Sequence, residues 1–168
     1  MTDETHFPRP ATFHDLKRLV EQLNATGVDY LLIGGYALFA HGYHRATEAI
    51  DLLVPMTVET GLKMKQALLA LPEQSAKEID PKWFEEPGNI RVAGEFVIDI
   101  LFTAAGETWQ TLAEYAQTVD LDGVPAKTVN LEGLLLSKQT VREKDALDRS
   151  VLERALQEIR NTTTGSAP

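Results

Sequence analysis

Two aspartates sit inside apolar runs, Asp51 within "AIDLLV" and Asp99 within "VIDIL". A carboxylate flanked by apolar residues is costly unless it is paired, hydrogen-bonded or bound to a cation. Successive side chains on a strand point to opposite faces, so Asp51 shares a face with position 49 and leaves the other to Ile50 and Leu52. If the two strands are neighbours, the carboxylates could converge on one hard cation, for which oxygen ligands are the right chemistry. The Gly34-Gly35 pair ends the apolar run "YLLI" and opens a short helical stretch. Glycine lets the backbone approach a ligand closely, and the N–H groups of a helix start favour phosphate. A phosphate cradle and two strand-borne carboxylates are the parts of a metal-assisted phosphoryl or nucleotidyl transfer site.

Each part has a plainer reading when taken alone. The aspartates can be satisfied carboxylates of an ordinary sheet, and the glycine pair a tight strand-to-helix turn without the GxGxxG pattern of a dinucleotide site. His41 and His44 are three apart, a spacing that can hold a transition metal. Gly42 interrupts the helix that would align them, so His41 is expected to pack or hydrogen-bond beside the site. Lys144, Asp145 and Asp148 read equally well as a solvated helix face with local ion pairs.

The elements that must position these residues are legible from periodicity and punctuation. Residues 12–26 read as a helix with Thr12 as N-cap, Asp15 in the capping-box position and Gly27 as the stop. "DYLLIGG" is a short apolar strand, "YALFAHG" a short helix, and "AIDLLV" a strand closed by Pro55. Thr57 caps a helix to about Leu71 whose buried face is expected to carry Leu62, Lys65, Leu68 and Leu69. Residues 72–89 read mostly as loop. "NIRVAGEFVIDILF" predicts a hairpin turning at Ala93-Gly94, 107–117 a helix, and "VDLDGVPAKTV" a hairpin around Asp122-Gly123. Residues 131 to about 160 read as one long helix or two short ones. If 134–149 were continuous helix, Lys138, Arg142 and Arg149 would share one side. Strands interleaved with helices, plus a tight hairpin, imply an α/β (α+β) chain with a mixed sheet.

The 168 residues, 43% of them hydrophobic, suffice for one domain over 12–160, with a flexible N-terminus over 1–11 and a small, polar tail over 161–168. No cysteine is present, and no apolar run approaches the ~20 residues that span a bilayer. A soluble cytoplasmic protein is expected. The net charge of −9 argues against coating nucleic acid through a broad basic surface, although a local basic site remains compatible with it.

The stretch "IGGYALFAHGYHRATEAIDLLV" resembles the signature of the DNA polymerase β-type nucleotidyltransferase superfamily: a glycine pair, a spacer, then Asp-hydrophobic-Asp on a strand, with a third carboxylate further on. Thirteen residues separate Gly35 from position 49, and Asp99 lies where the third carboxylate is expected. Within that superfamily the chain is similar to minimal bacterial nucleotidyltransferases of the abortive-infection and toxin–antitoxin type. The similarity runs through Gly34, Gly35, Ala37, His41, Gly42, Arg45, Thr47 and Asp51, then Lys138, Arg142, Lys144, Asp145 and Asp148. It spans roughly residues 28–155, with gaps in the middle.

The resemblance implies a nucleotidyltransferase fold, flanking helices, a C-terminal helical segment and two Mg²⁺ ions. It implies transfer of a nucleoside monophosphate from an NTP to a hydroxyl of tRNA or other RNA, a protein or a small molecule, and an antitoxin as partner. By the same resemblance Asp51 and Asp99 are metal-binding and catalytic, while Gly34, Gly35, Arg45, Thr47, Lys138 and Arg142 hold the nucleotide. One departure stands out. Where the family carries its first aspartate, this chain has Ala49. Loss of one carboxylate should impair metal binding and turnover together, so the chain is expected to be inactive or nearly so. Its origin is open between a natural pseudoenzyme and an introduced substitution, and retention of the other motif residues favours the second. A catalytically silent nucleotide-binding or partner-binding module is the alternative reading.

Overall fold

The computed structural model of the protein describes residues 9–42, 49–71, 75–137, 154–157 and 159. The first helix, α1 (Phe13–Thr26), is closed at its start by a capping box. Asp15 N–H donates to the Thr12 hydroxyl, and Thr12 N–H donates to the Asp15 carboxylate. Gly27 ends it in the left-handed conformation at φ 71°, where a β-carbon would be strained. Leu16, Leu19, Val20 and Leu23 form its buried stripe. There follow β1 (Leu31–Ile33), α2 (Gly34–Ala40), β2 (Ala49–Leu53) and α3 (Val58–Leu69), the last capped by the Thr57 hydroxyl. The hairpin of β3 (Asn89–Ala93) and β4 (Val97–Leu101) comes next, then a two-residue pair, β5 (Thr103–Ala104) with β6 (Glu107–Thr108). A short α4 (Trp109–Leu112) leads into the hairpin of β7 (Ala116–Leu121) and β8 (Val124–Val129), and α5 (Leu131–Leu136) follows.

Six of these strands form a mixed sheet in the order β3-β4-β2-β1-β8-β7. The β2/β4 and β1/β8 pairs are parallel, and the other three are antiparallel. Ile50, Leu52, Ile98 and Ile100, at alternate positions of β2 and β4, are all buried. The opposite face of those strands carries the two aspartates.

Several expectations are corrected. Residues 72–89 hold two 3-10 turns, Ser75–Glu78 and Pro81–Glu85, the second capped by Asp80. Phe84 anchors that turn in the core, edge-on to Phe102 with ring centroids 5.5 Å apart. The turn packs on α3 and rotates its buried face to Thr60, Gly61, Met64, Ala67 and Leu68, leaving Leu62 58% exposed. The predicted helix over 107–117 shrinks to α4 plus a 3-10 turn, Ala113–Tyr115, because the chain enters the sheet at Ala116. The Asp122-Gly123 hairpin is as expected. Both residues adopt positive φ, 53° and 96°, the geometry of a two-residue turn that follows strand twist.

The segment before α1 makes specific contacts from Arg9 onward. Arg9 N–H donates to the Glu95 carbonyl at 2.7 Å, and its guanidinium reaches Asp15 at 2.5 Å and lies 5.6 Å from the Phe96 ring centroid. The Tyr36 hydroxyl donates to the Ala11 carbonyl. This strap joins the start of α1 to the β3–β4 turn and to α2.

Candidate functional site

The site is a row of side chains across four strands. In the parallel β2/β4 pair the register sets Asp51 opposite Asp99 and Ala49 opposite Val97. Residues in register on neighbouring strands point to the same face, and the strands lie about 4.8 Å apart, so the two carboxylates are side by side. Asp51 is also in register with Ile33 of β1, and Asp99 with Arg91 of β3. Across the sheet the row reads Ile33, Asp51, Asp99, Arg91. Asp51 is half-buried and Asp99 is 8% exposed.

Gly34 closes the row from the β1 side. It sits at φ 74°, and a β-carbon there would fall 2.3 Å from Asp51 Oδ2. The chain can turn from β1 into α2 over this carboxylate only with glycine. Gly34 and Gly35 are both buried, so the pair serves first to admit Asp51. At the far end of α2, a His41 ring nitrogen lies 2.8 Å from the Val129 carbonyl oxygen, which ties that helix to β8.

Arg91 is the residue that sequence reasoning missed. Its Nε donates to Asp99 Oδ1 at 2.9 Å and its Nη2 to Oδ2 at 3.1 Å. Such two-pronged, charge-assisted pairing fixes the planar guanidinium. The hydrogen bonds it donates to Asp99, with that carboxylate's charge and then the charge of Asp51, push the Arg91 pKa above its ordinary value. A faint signal existed in the sequence: Arg91 is the one cation of "NIRVA", in the polar phase of its alternation, and Asp99 the one charge inside the apolar run "VIDIL". Which charge faces which follows only from the hairpin register.

The residues present do not fit the expected two-cation centre. Ala49 supplies no side-chain oxygen, and both oxygens of Asp99 accept from Arg91. Among the described residues no group of three or more His, Asp or Glu side chains converges to hold an ion. Arg45, Thr47, Lys138 and Arg142 lie outside the described residues, as do His44, Lys144, Asp145, Asp148 and Arg149. The structure brings together Gly34, Gly35, Ala49, Asp51 and Asp99, and adds Arg91.

Arg91 also borders a hollow. A groove of about 370 Å³ is lined by Arg91, Asn89, Gly88, Glu86, Phe102 and Trp83, the last 41% exposed. A smaller cavity of about 180 Å³ is lined by Asp29, Lys127 and Trp109, and the Trp109 indole N–H is buried without a partner among the described residues. No helix among the described residues is long and apolar enough to cross a membrane.

No family model matches the sequence, and no curated protein matches it. The fold has a counterpart among solved structures. A proposed nucleotidyltransferase from Thermotoga maritima superposes with a TM-score of 0.57 over 96% of this chain and 99% of its own, at 13% sequence identity. At that identity the likeness concerns architecture alone, and the architecture the chain has is a nucleotidyltransferase-like α+β fold with a mixed six-stranded sheet.

Proposed function

We propose that this protein binds a nucleoside triphosphate in the corner formed by Gly34, Asp51, Asp99 and Arg91, and that position 49 blocks the nucleotidyl transfer for which the corner is otherwise built. One observation carries the reading: Asp51 and Asp99 stand in register on adjacent parallel strands, directly beside a glycine that only a close-packed turn requires. A generic sheet gains nothing from two adjacent carboxylates, which repel each other unless a cationic group lies between or beside them.

In a chain with a carboxylate at position 49, the reaction is transfer of a nucleoside monophosphate to a hydroxyl, with Mg²⁺ as the cofactor the motif implies. The acceptor belongs to tRNA or another RNA, a protein or a small molecule. Action as the toxin of a two-component system, restrained by an antitoxin chain in the cytoplasm, is the finer form of the same proposal, and the Arg45 and Lys138 motifs support it. As it stands, the chain retains ligand and lacks turnover.

Restoring the carboxylate tests the reading. Ala49→Asp is expected to transfer label from α-labelled NTP with Mg²⁺ into an RNA or lysate acceptor pool, about 100-fold or more above the unaltered chain, the scale of one precisely placed charge-stabilising group. Absence of transfer with all four nucleotides, together with absence of nucleotide binding, defeats it.

A further inference from the structure

The misfit with a two-metal centre has a structural counterpart in Arg91. A guanidinium presents five N–H donors, and the side-on pairing with Asp99 uses only Nε and one hydrogen of Nη2. Among the described residues, three donors remain without a hydrogen-bond partner. The side chain is 64% exposed, while the Asp99 residue that orients it is buried, so the remaining donors are presented by a held, solvent-facing group. That same arginine is among the residues that line the groove, together with Gly88, Asn89 and Trp83. The groove volume falls within the ~300–1,000 Å³ typical of small-molecule sites, and an exposed indole offers a stacking face to any base.

We infer that Arg91 is the resident cation of this site: held by Asp99, it receives the phosphates of a nucleotide directly, without a divalent metal, while the base lies along the groove towards Trp83. The inference rests on the nucleotide reading above and deepens it. A divalent ion would have to displace a two-pronged guanidinium from Asp99 and would find no side-chain oxygen at Ala49. An arginine has no such obstacle. Its planar fork matches phosphate geometry and stays charged at every physiological pH. Asp99 is thereby a positioning residue for Arg91.

Quenching of Trp83 fluorescence by nonhydrolysable NTPs, titrated in EDTA and again in Mg²⁺, tests this, with Trp83→Phe as the signal control. The two affinities are expected to agree within about twofold. Arg91→Ala is expected to weaken binding by about 10- to 100-fold, the loss of one to two charged hydrogen bonds. Arg91→Lys, which keeps the charge but not the fork, should fall between. Asp99→Asn should weaken binding several-fold with the fold intact by circular dichroism.

Nucleotide binding that requires Mg²⁺ overturns the inference and leaves the nucleotide reading standing. So does Mn²⁺ bound by the nucleotide-free protein, seen by electron paramagnetic resonance and lost in Asp99→Asn. If no nucleotide binds, tripolyphosphate decides. Arg91-dependent binding of it in EDTA keeps the cation role and rejects the nucleotide, and no binding rejects both.

Discussion

The β-carbon that Gly34 lacks would lie 2.3 Å from Asp51 Oδ2, far inside van der Waals contact. Two costs therefore combine in Gly34→Ala. A left-handed φ costs a non-glycine residue about 1–2 kcal/mol, and forcing an extra methyl into packed surroundings costs about 1–3 kcal/mol. At roughly 2–4 °C per kcal/mol for a chain of this size, the melting temperature should fall by on the order of 5–15 °C. The steric part disappears if the carboxylate is removed. Gly34→Ala should thus cost less in an Asp51→Ala background, and thermal melts of the four proteins give the coupling energy. Strict additivity would show that the turn and the carboxylate are independent.

Gly61 invites the opposite expectation. In an exposed helix interior, Gly→Ala gains up to about 1 kcal/mol. Here a β-carbon would stand 2.7 Å from the Pro81 carbonyl oxygen and 2.8 Å from a Phe84 ring carbon. Overpacking at about 1–3 kcal/mol exceeds the propensity gain. Gly61→Ala is therefore expected to destabilise by about 1–2 kcal/mol, read as a lower urea midpoint at unchanged m-value. A higher midpoint would mean that the Pro81–Glu85 turn yields easily.

Burial opposes ionisation of Asp15, yet hydrogen bonds from Arg9 and Thr12 outweigh it and hold its carboxyl below the ordinary value. A depressed folded-state pKa means that the unfolded chain takes up more protons near pH 4, so this contribution is complete above the unfolded carboxyl range and is lost as the pH falls through the folded value. Asp15→Asn should cost about 1–3 kcal/mol near neutrality, the scale of a helix cap plus a charged hydrogen bond. Its melting temperature should approach that of the unaltered protein as the pH drops below 4. Parallel curves at all pH values would remove Asp15 from the acid response.

What the sequence made legible is local. The Thr12–Asp15 capping box, the Thr57 cap, the Asp122-Gly123 turn and the alternation in β2 and β4 each depend on residues within a few positions of one another. What it hid depends on distant partners. The buried face of α3 turns towards Met64 and Ala67 because Phe84, some twenty residues on, packs against Gly61. Residues 116–117 read as helix by composition but pair with Val129 and Thr128 in the sheet. Arg91 belongs to the same class, since its partner is set by how the β3–β4 turn closes over residues 94–96.

Ala49 offers a prediction that needs no knowledge of the substrate. Positions 49 and 51 lie on one face of β2, about 7 Å apart at ~3.3 Å per residue. A second carboxylate at that distance from Asp51 repels it by between about 0.6 and 2.4 kcal/mol, for effective dielectric constants of 80 and 20. In EDTA, Ala49→Asp should therefore melt below the unaltered protein. A divalent ion bridging the two carboxylates reverses the sign, because ligand at about 100 times its dissociation constant stabilises the folded state by about 2.7 kcal/mol. The two melting curves are expected to exchange order between EDTA and millimolar Mg²⁺ or Ca²⁺, whereas the unaltered protein shifts little, since Arg91 holds Asp99 and nothing at position 49 binds the ion. A shift of equal size in both proteins would place the ion elsewhere, and no shift in either would mean that the corner cannot hold a divalent cation even with its missing carboxylate restored.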